Sequence, residues 1–378
     1  MRILFTSGGS GGHIFPLIAV ARQLKKIYNY QGGTESLEMF FLGPDGSAFE
    51  NFKTENIEVK NLASAKFRRY FSILNFLDIF KIPIGFIQAL YHLFILMPDV
   101  VFSKGGYASI PVVVVAWIYR IPVLIHESDS VPGLANKIAS KMAKRVAVSF
   151  DSAKDYLPPK KTVLVGNPIR EELTEICQQT DESKIKSVKR DMGIARERKV
   201  ILIIGGSQGA YKINEIILNT LSRMLESYEI IHQCGKKNYD GFSRVIEQTF
   251  GKLKNYHLFP FLNQDELARA YLVSDLIISR AGAGSIFEIA ACRKPSILIP
   301  LPNAANDHQR KNAFTCGRFG MSTVIEQANL TPNIFLNEIN KILNNIEIKK
   351  KMTQNTRNLY YPKAAQTIAE ALVEMAIM

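Results

Sequence analysis

The sequence predicts an α/β protein with two doubly wound, Rossmann-like parallel-sheet domains that face a central cleft. Three observations lead to this fold class. Short runs rich in Val, Ile and Leu alternate with amphipathic helical stretches along nearly the whole chain. Two separate series of such runs each open with a strand that ends in a Gly-Gly-Ser loop, at residues 8–10 and 205–207. The chain of 378 residues is also longer than the size at which single hydrophobic cores stop growing.

Near-continuous apolar strands separated by helices are typical of parallel sheets that are covered on both faces. The first series predicts six strands: RILFTS, MFFLG, DVVFSKGG, PVLIHES, RVAVSF and TVLVGNP. The second series predicts five: KVILIIGGS, YEIIHQCG, YHLFPF, DLIISRAG and PSILIPLP. Ligands of such sheets bind beyond the carboxyl ends of the strands, so functional residues are expected there.

The junction between the two series falls at GNPIREEL, which a polar stretch follows. We therefore expect an N-terminal domain at residues 1–166 and a C-terminal domain at residues 167–356. A helix at about 357–378 is expected to pack back onto the first domain.

The composition indicates a folded protein with an anionic partner. A net charge of +13 and a pI near 9.4 fit a phosphorylated substrate or an acidic lipid surface, with mere solubility as the alternative. No nucleic-acid-binding signature occurs, so nucleic acid is not an expected partner. The four cysteines suggest neither a zinc site nor a disulfide framework. The absence of a leader pattern before the first strand favours the cytoplasm.

The glycine loops favour anions without matching a nucleotide fingerprint. The first loop lacks the third glycine of a dinucleotide motif, and neither loop ends in the Gly-Lys-Ser/Thr of a P-loop. A nicotinamide oxidoreductase is disfavoured for this reason. Free backbone N–H groups at a helix N-terminus nevertheless attract phosphates, although tight turns alone also require glycine.

A third loop, SRAGAGSIFEIAA, adds a carboxylate to the pattern. Gly282–Ser285 open a predicted helix whose N–H groups can bind a diphosphate, and Glu288 follows one turn later. An ionised carboxylate can accept both hydrogen bonds of a ribose diol. This spacing suggests a nucleoside diphosphate. Amides concentrated in PLPNAANDHQRKNA suit sugar hydroxyls, or form an ordinary polar surface loop.

One segment, residues 64–98, is rich in aromatic and aliphatic side chains. Asp78, Lys81 and Pro83 interrupt it, so it does not fit a membrane span, which needs about 20 mostly apolar residues. It is either a pair of core helices or a membrane-surface patch in which aromatics enter the interface and basic residues meet anionic lipid. The residues expected to contact a membrane are Lys66, Phe67, Arg68, Arg69, Phe71 and Phe76.

Six ordered motifs, GGSGGHIFP, HESDSVPGLANK, GNPIR, GGSQGA, SRAGAGSIFE and NDHQRKNA, resemble the MurG family across nearly the whole chain. The resemblance implies a GT-B fold and an inverting transfer of N-acetylglucosamine from UDP-N-acetylglucosamine to lipid I, which gives lipid II for peptidoglycan synthesis. It also implies a peripheral protein on the cytoplasmic face of the cell membrane, bound to its anionic surface. No cofactor is expected, and the absence of an Asp-x-Asp pair suggests no metal held by that motif.

The resemblance also implies roles for individual residues. Glu288 would hold the ribose, Leu262 would offer backbone groups to the uracil, and Gln309 would bind the sugar hydroxyls. The full set of substrate-binding positions is Ser10, Gly11, Gly12, Arg170, Ser207, Gln208, Leu262, Gly282, Ala283, Gly284, Ser285, Glu288, Gln309 and Asn312.

The expected general base is His13, because it follows the first glycine loop at a helix start. There the positive end of the helix dipole disfavours the imidazolium, and a neutral imidazole can take the proton of the acceptor hydroxyl. Its alternative role is structural. Glu127, with His126, is a second choice on the acceptor side. Asp129 stands where many family members have an amide, so its role stays open.

Three alternatives remain at this stage. The chain could be a different GT-B enzyme, either one that glycosylates another membrane lipid or a UDP-sugar epimerase. It could also be a non-catalytic module that binds nucleotide sugars.

Overall fold

The computed structural model describes residues 1–9, 11–30, 36–44, 52–64, 73–178, 181–195, 197–206 and 209–377. The chain divides into two compact units, which we call unit 1 (residues 1–170 and 361–378) and unit 2 (residues 171–360). The predicted domain ends at 166 and 356 lie four residues before the unit ends at 170 and 360. Each unit contains one all-parallel sheet, which confirms the prediction of two doubly wound domains.

Unit 1 contains a seven-stranded sheet with the order β3-β2-β1-β4-β5-β6-β7. Its strands are β1 (Arg2–Thr6), β2 (Glu38–Gly43), β3 (Ile57–Asn61), β4 (Val100–Ser103), β5 (Val123–Glu127), β6 (Arg145–Val148) and β7 (Thr162–Leu164). Its helices are α1 (Gly11–Tyr30), α2 (Ile73–Leu96), α3 (Ser109–Ile118), α4 (Leu134–Met142) and α14 (Ala364–Ile377). The edge strand β3 was not among the predicted strands.

Helices cover both faces of this sheet because its strands are apolar on both sides. On one face Ile3 and Phe5 of β1 pack with Leu17 of α1 and with Leu372 of α14. The helix at the C-terminus therefore completes the core of unit 1. On the other face Leu4 packs in a cluster with residues of α2, α3 and α4. Each fully buried aliphatic side chain of this kind stabilises the fold by about 1.5–3 kcal/mol.

Unit 2 contains a six-stranded sheet with the order β10-β9-β8-β11-β12-β13. Its strands are β8 (Lys199–Ile204), β9 (Tyr228–Gln233), β10 (Tyr256–Phe259), β11 (Leu276–Ser279), β12 (Ser296–Leu298) and β13 (Ser322–Val324). Its helices are α5 (Glu171–Gln178), α6 (Glu182–Asp191), α7 (Tyr211–Ser227), α8 (Lys236–Phe250), α9 (Gln264–Val273), α10 (Ala283–Ala291), α11 (His308–Arg318), α12 (Pro332–Asn344) and α13 (Ile346–Asn355). The edge strand β13 was not predicted either.

The order of the sheets fixes where ligands can bind. In both units the strand order reverses beside the first strand, between β1 and β4 and between β8 and β11. In open parallel sheets this switch point leaves a crevice beyond the carboxyl ends of the strands. The glycine loops after β1 and β8 start at these two points.

Cys177 and Cys292 form a disulfide, with their Cα atoms 4.9 Å apart. The expectation that the cysteines suggest no disulfide is therefore wrong for this pair. The two residues are 115 positions apart, so their spacing carries no signal. They meet because α5 packs against α10, whose C-cap is Cys292. Cys234 and Cys316 are free and buried.

Candidate active site

The loop after β1 places His13 at the third position of α1. His13 Nδ1 lies 3.3 Å from the carbonyl oxygen of Lys104, at the end of β4. Because a carbonyl oxygen only accepts hydrogen bonds, Nδ1 carries the proton. The unprotonated nitrogen of a neutral ring is then Nε2, the atom that can take a proton from a substrate. Ser10, which the resemblance assigns to the same loop, lies outside the described residues.

The glycines around His13 explain why the two loops can touch. Gly8 N–H donates to the Gly105 carbonyl over 2.9 Å. Gly106 has a φ of +93°, and a Cβ there would lie 2.8 Å from Gly8 N. A side chain at Gly106 would therefore push the two loops apart. Gly12, by contrast, faces open space: an added Cβ would meet no described atom within 4 Å.

The end of β5 carries His126 and Glu127, both buried. His126 Nε2 lies 2.9 Å from the Gly166 carbonyl, and Nδ1 lies 2.7 Å from Lys104 Nζ. Burial, together with the charge of Lys104, holds the pKa of His126 well below its ordinary value. His126 is therefore neutral, and both of its ring nitrogens have hydrogen-bond partners within unit 1.

Glu127 holds the loop that follows it in place through hydrogen bonds. Its carboxylate accepts from Asp129 N–H at 2.9 Å, from Gly133 N–H at 3.1 Å and from the amide of Asn136 at 2.9 Å. Burial, reinforced by the nearby Asp129 carboxylate, raises the pKa of Glu127. Glu127 therefore fixes the position of Asp129, which is less buried. The catalytic roles assigned to Glu127 and Asp129 stay predictions.

Arg170 groups with unit 1, although it was predicted to lie in the second domain. Its guanidinium stacks 3.9 Å from the ring centre of Phe15, two residues after His13. This cation–π contact holds the arginine beside the N-terminal turn of α1. Its proposed contact with the nucleotide stays a prediction.

In unit 2 the turn after β11 opens α10. Gly282 is the N-cap, and Ala283, Gly284 and Ser285 form the first turn. A Cβ at Gly282 or Gly284 would meet no described atom within 4 Å, so this turn is open on the side that a ligand needs. The unpaired N–H groups of a helix N-terminus attract anions.

Glu288 follows one turn later in α10 and is mostly buried. Its Oε2 lies 3.3 Å from the hydroxyl oxygen of Tyr271 on α9. A carboxylate has about four acceptor positions, so this contact leaves capacity for the two hydroxyls of a ribose. The arrangement of turn and carboxylate is the one the sequence predicted.

The loop after β10 is held by Gln233, a residue that the sequence analysis missed. Gln233 Oε1 accepts the backbone N–H of Leu262 at 3.0 Å. The expectation that Leu262 offers backbone groups to the uracil stays a prediction. Ser207 and Gln208, predicted to meet the diphosphate after β8, lie outside the described residues.

The two amides of α11 differ in their surroundings. Gln309 Oε1 accepts the backbone N–H of Leu301 at 3.0 Å. Asn312 is fully buried, and its Nδ2 donates to the Ala281 carbonyl at 3.3 Å, just before the open turn. Asn312 therefore positions that turn, and its predicted place near the sugar stays a prediction.

Two further residues at strand ends were missed, Lys104 in unit 1 and Arg280 in unit 2. Arg280 donates to the carbonyls of Ile299 and Pro300 and to the Gln327 side chain, and so ties together the ends of β11 and β12. The available signal was a charged residue directly after an apolar strand and directly before a glycine-containing turn.

The described residues contain no group of three or more His, Cys, Asp or Glu side chains that could hold a metal ion.

Helix α2 presents an exposed apolar stripe. We call it the apolar face, and its residues are Ile84, Ile87, Tyr91, Phe94 and Ile95 on α2 with Trp117 and Ile118 at the end of α3. The opposite side of α2, with Ala89 and Leu93, packs against the sheet. Of the predicted membrane residues, Lys66, Phe67, Arg68, Arg69 and Phe71 lie outside the described residues, as does the side chain of Phe76. No helix in the described ranges is long and apolar enough to cross a membrane.

Comparisons with known proteins cover the whole chain. The glycosyltransferase family 28 N-terminal domain matches residues 3–148, and the C-terminal domain of the same family matches residues 200–371. A Bacillus anthracis protein named UDP-N-acetylglucosamine–N-acetylmuramyl-(pentapeptide) pyrophosphoryl-undecaprenol N-acetylglucosamine transferase 2 is 35% identical over 377 residues, 99% of each chain.

Two solved structures share the fold. Acinetobacter baumannii MurG covers 99% of both chains with 29% identity and a TM-score of 0.73. The UDP-GlcNAc 2-epimerase of Neisseria meningitidis covers 99% of this chain and 100% of its own, with 15% identity and a TM-score of 0.68. The second likeness concerns the fold alone.

Proposed function

The chain belongs to the MurG family within glycosyltransferase family 28, and we propose that it transfers N-acetylglucosamine from UDP-N-acetylglucosamine to the 4-hydroxyl of the N-acetylmuramyl unit of lipid I. The product, lipid II, is a precursor of peptidoglycan. The observation that carries this proposal is the relation to the Bacillus anthracis transferase over 99% of both chains. The site residues described above supply the chemistry that such a reaction requires.

Unit 2 binds the donor in this proposal. The diphosphate lies against the N–H groups of the Gly282–Ser285 turn, and the ribose hydroxyls donate to Glu288. When the glycosidic bond to UDP breaks, negative charge develops on the leaving diphosphate. Fixed N–H dipoles stabilise this charge without reorganisation, and this kind of electrostatic stabilisation is often the largest contribution to catalysis.

Unit 1 supplies the base. The acceptor hydroxyl attacks the anomeric carbon from the side opposite UDP, so the configuration inverts from α to β. His13 Nε2 takes the hydroxyl proton, because the Lys104 carbonyl holds the other ring nitrogen as the N–H donor. A general base of this type contributes about 10²–10⁴-fold to the rate.

The test is UDP release from UDP-N-acetylglucosamine with and without a lipid I analogue, for wild type and His13→Asn. An asparagine amide can replace Nδ1 as the donor to Lys104 and has no counterpart of Nε2. We expect acceptor-dependent release in wild type and a fall of about 10²–10⁴-fold in the variant, with little change in melting temperature.

His257→Asn is the matched control, because His257 pairs with Glu229 near the amino end of β10, whereas the open turn follows the carboxyl end of β11, three strands away in the sheet. It should leave turnover within a few-fold of wild type. Release without acceptor, or conversion of the donor sugar itself, would contradict the transferase and favour the epimerase reaction. A fall of only a few-fold in His13→Asn would remove His13 as the base.

We further propose that the protein docks through its apolar face onto the anionic cytoplasmic surface of the membrane that holds lipid I. Apolar side chains on α2 are exposed at helical spacing, and Lys81 and Arg120 are exposed beside them. Apolar side chains at an interface combined with flanking basic residues give reversible binding to anionic lipid. The net charge of +13 favours the same surface.

A further inference from the structure

A buried ammonium group lies under the strand-end loops of unit 1. The side chain of Lys104 is 1% exposed, and its Nζ lies 2.7 Å from His126 Nδ1 and 3.4 Å from Asn167 Oδ1. An ammonium group only donates, so His126 accepts through Nδ1. His126 Nε2 must then carry the proton, which agrees with its contact to the Gly166 carbonyl at 2.9 Å. Lys104 thus selects one tautomer of His126.

The charge of Lys104 is balanced by carboxylates. A buried ammonium is costly unless an opposite charge compensates it. Burial lowers the pKa of Lys104 to about 8, while the carboxylates of Glu127 and Asp129 act in the opposite direction. Glu127 is itself fixed by three N–H donors, one of them the backbone of Asp129. The ammonium group of Lys104 and the two carboxylates therefore form one cluster of interacting charges.

The backbone of Lys104 connects this cluster of charges to His13. Its N–H donates to the Thr6 carbonyl at 2.9 Å, which aligns the end of β4 with the end of β1. Its carbonyl accepts from His13 Nδ1 at 3.3 Å. A displacement of Lys104 therefore changes the orientation of His13 as well as that of His126.

We propose that Lys104 is a positioning residue for the transfer reaction, which balances the charges of Glu127 and Asp129 and holds His13 and His126 in place. This inference rests on the proposed function. It makes a specific prediction about charge: removal of the ammonium harms the site because two carboxylates are left without a counter-charge. Removal of the Asp129 charge should then repair part of the damage.

The experiment compares wild type with Lys104→Met, Asp129→Asn and the double variant, with Lys161→Met as the matched control. Lys161 is a partly buried lysine of the same unit that donates to the Lys141 and Ala143 carbonyls. Turnover with a lipid I analogue, the Kd of UDP-N-acetylglucosamine by calorimetry and the melting temperature are measured for each protein.

We expect Lys104→Met to lower kcat/KM by about 10-fold or more and to leave the donor Kd unchanged, because the donor binds in unit 2. In the double variant, kcat/KM should recover at least about fivefold relative to Lys104→Met, since residues of one hydrogen-bond and charge network couple by such amounts. The melting temperature should recover in parallel, and Lys161→Met should leave turnover unchanged.

Two results would overturn the proposal: Lys104→Met within twofold of wild type, or a double variant whose effect is the product of the single effects. If Lys104→Met does not fold, the double variant is still expected to fold, and its failure would count against the charge balance. A wild type that binds UDP-N-acetylglucosamine without acceptor-dependent turnover would refute the proposed function instead. The coupling in melting temperature would still test the charge balance in that case.

Discussion

The proposed membrane docking of the apolar face allows a quantitative prediction, which the substitution Phe94→Ser tests. The Phe94 side chain is 68% exposed. A phenylalanine offers roughly 150–250 Å² of surface, so about 100–170 Å² remains available for insertion. At about 25 cal/mol per Å², its burial in lipid is worth about 2.5–4 kcal/mol. If about half of this area enters the interface, Phe94→Ser should weaken vesicle binding by roughly 10-fold, since 1.4 kcal/mol is tenfold.

The assay is co-sedimentation of the full chain with vesicles of phosphatidylcholine that contain an anionic phospholipid. Ile87→Ser, at 65% exposure on the same stripe, should act in the same direction and add to Phe94→Ser. Ile346→Ser is the matched control, because Ile346 is 82% exposed in unit 2. Binding should also fall as salt increases, because the basic residues act through screened charges. Equal binding by Phe94→Ser and Ile346→Ser would refute the reasoning.

Three further predictions concern stability. Burial lowers the pKa of Lys294 from 10.5 to about 8, so as the pH rises the folded state loses this proton before the unfolded state does. The free energy of unfolding of wild type, relative to that of Lys294→Met, should therefore rise between about pH 8 and 10, by up to ~3 kcal/mol. Urea titrations measure this difference, and a difference that does not change with pH would contradict the prediction. Cys177→Ser should lower the free energy of unfolding by roughly 2–5 kcal/mol, because the disulfide joins residues 115 positions apart and so restricts the unfolded chain. Equal melting temperatures of the oxidised and the reduced protein would exclude this effect. Asn214→Ala should cost about 1–3 kcal/mol in denaturant unfolding, because it leaves the buried His232 Nε2–H unpaired while Asn238 still donates to the Cys234 carbonyl, and a loss below 1 kcal/mol would show that another partner replaces it.

Most strands could be predicted because they are buried on both faces and therefore read as continuous apolar runs. The two that were missed, β3 and β13, are edge strands. The segment IEVKN of β3 alternates apolar and polar residues, and β13 is only three residues long. An edge strand has one neighbour and one solvated side, so it carries a weaker pattern than a central strand. The sequence also could not show which side of α2 is buried, because both sides are apolar although only one is buried.

The candidate site divides in the same way between local and non-local information. The Gly282 turn and Glu288 could be predicted because a turn and the helix it opens are adjacent in sequence. Lys104 and Gln233 could not, because their partners lie 22 to 63 residues away and only the sheet order brings them together. The burial of Asn312 in α11 could not be predicted for the same reason, because its amide donates to the Ala281 carbonyl, 31 residues before it.

The two units share one strand order but place different chemistry at the switch point. In unit 1 titratable side chains lie at the described strand ends, and His13 Nδ1 donates to the Lys104 carbonyl. In unit 2 the corresponding turn at Gly282 presents backbone N–H groups, and the carboxylate of Glu288 follows one turn later in α10. A nucleophile that must lose a proton needs a titratable partner, whereas a diphosphate that gains charge needs fixed dipoles. A histidine in the first loop and an open glycine turn after β11 are therefore the arrangement that a transfer from a nucleoside diphosphate to a hydroxyl requires. Exchange of the two chemistries, such as Gly284→His with His13→Gly, should abolish turnover even where both units remain folded.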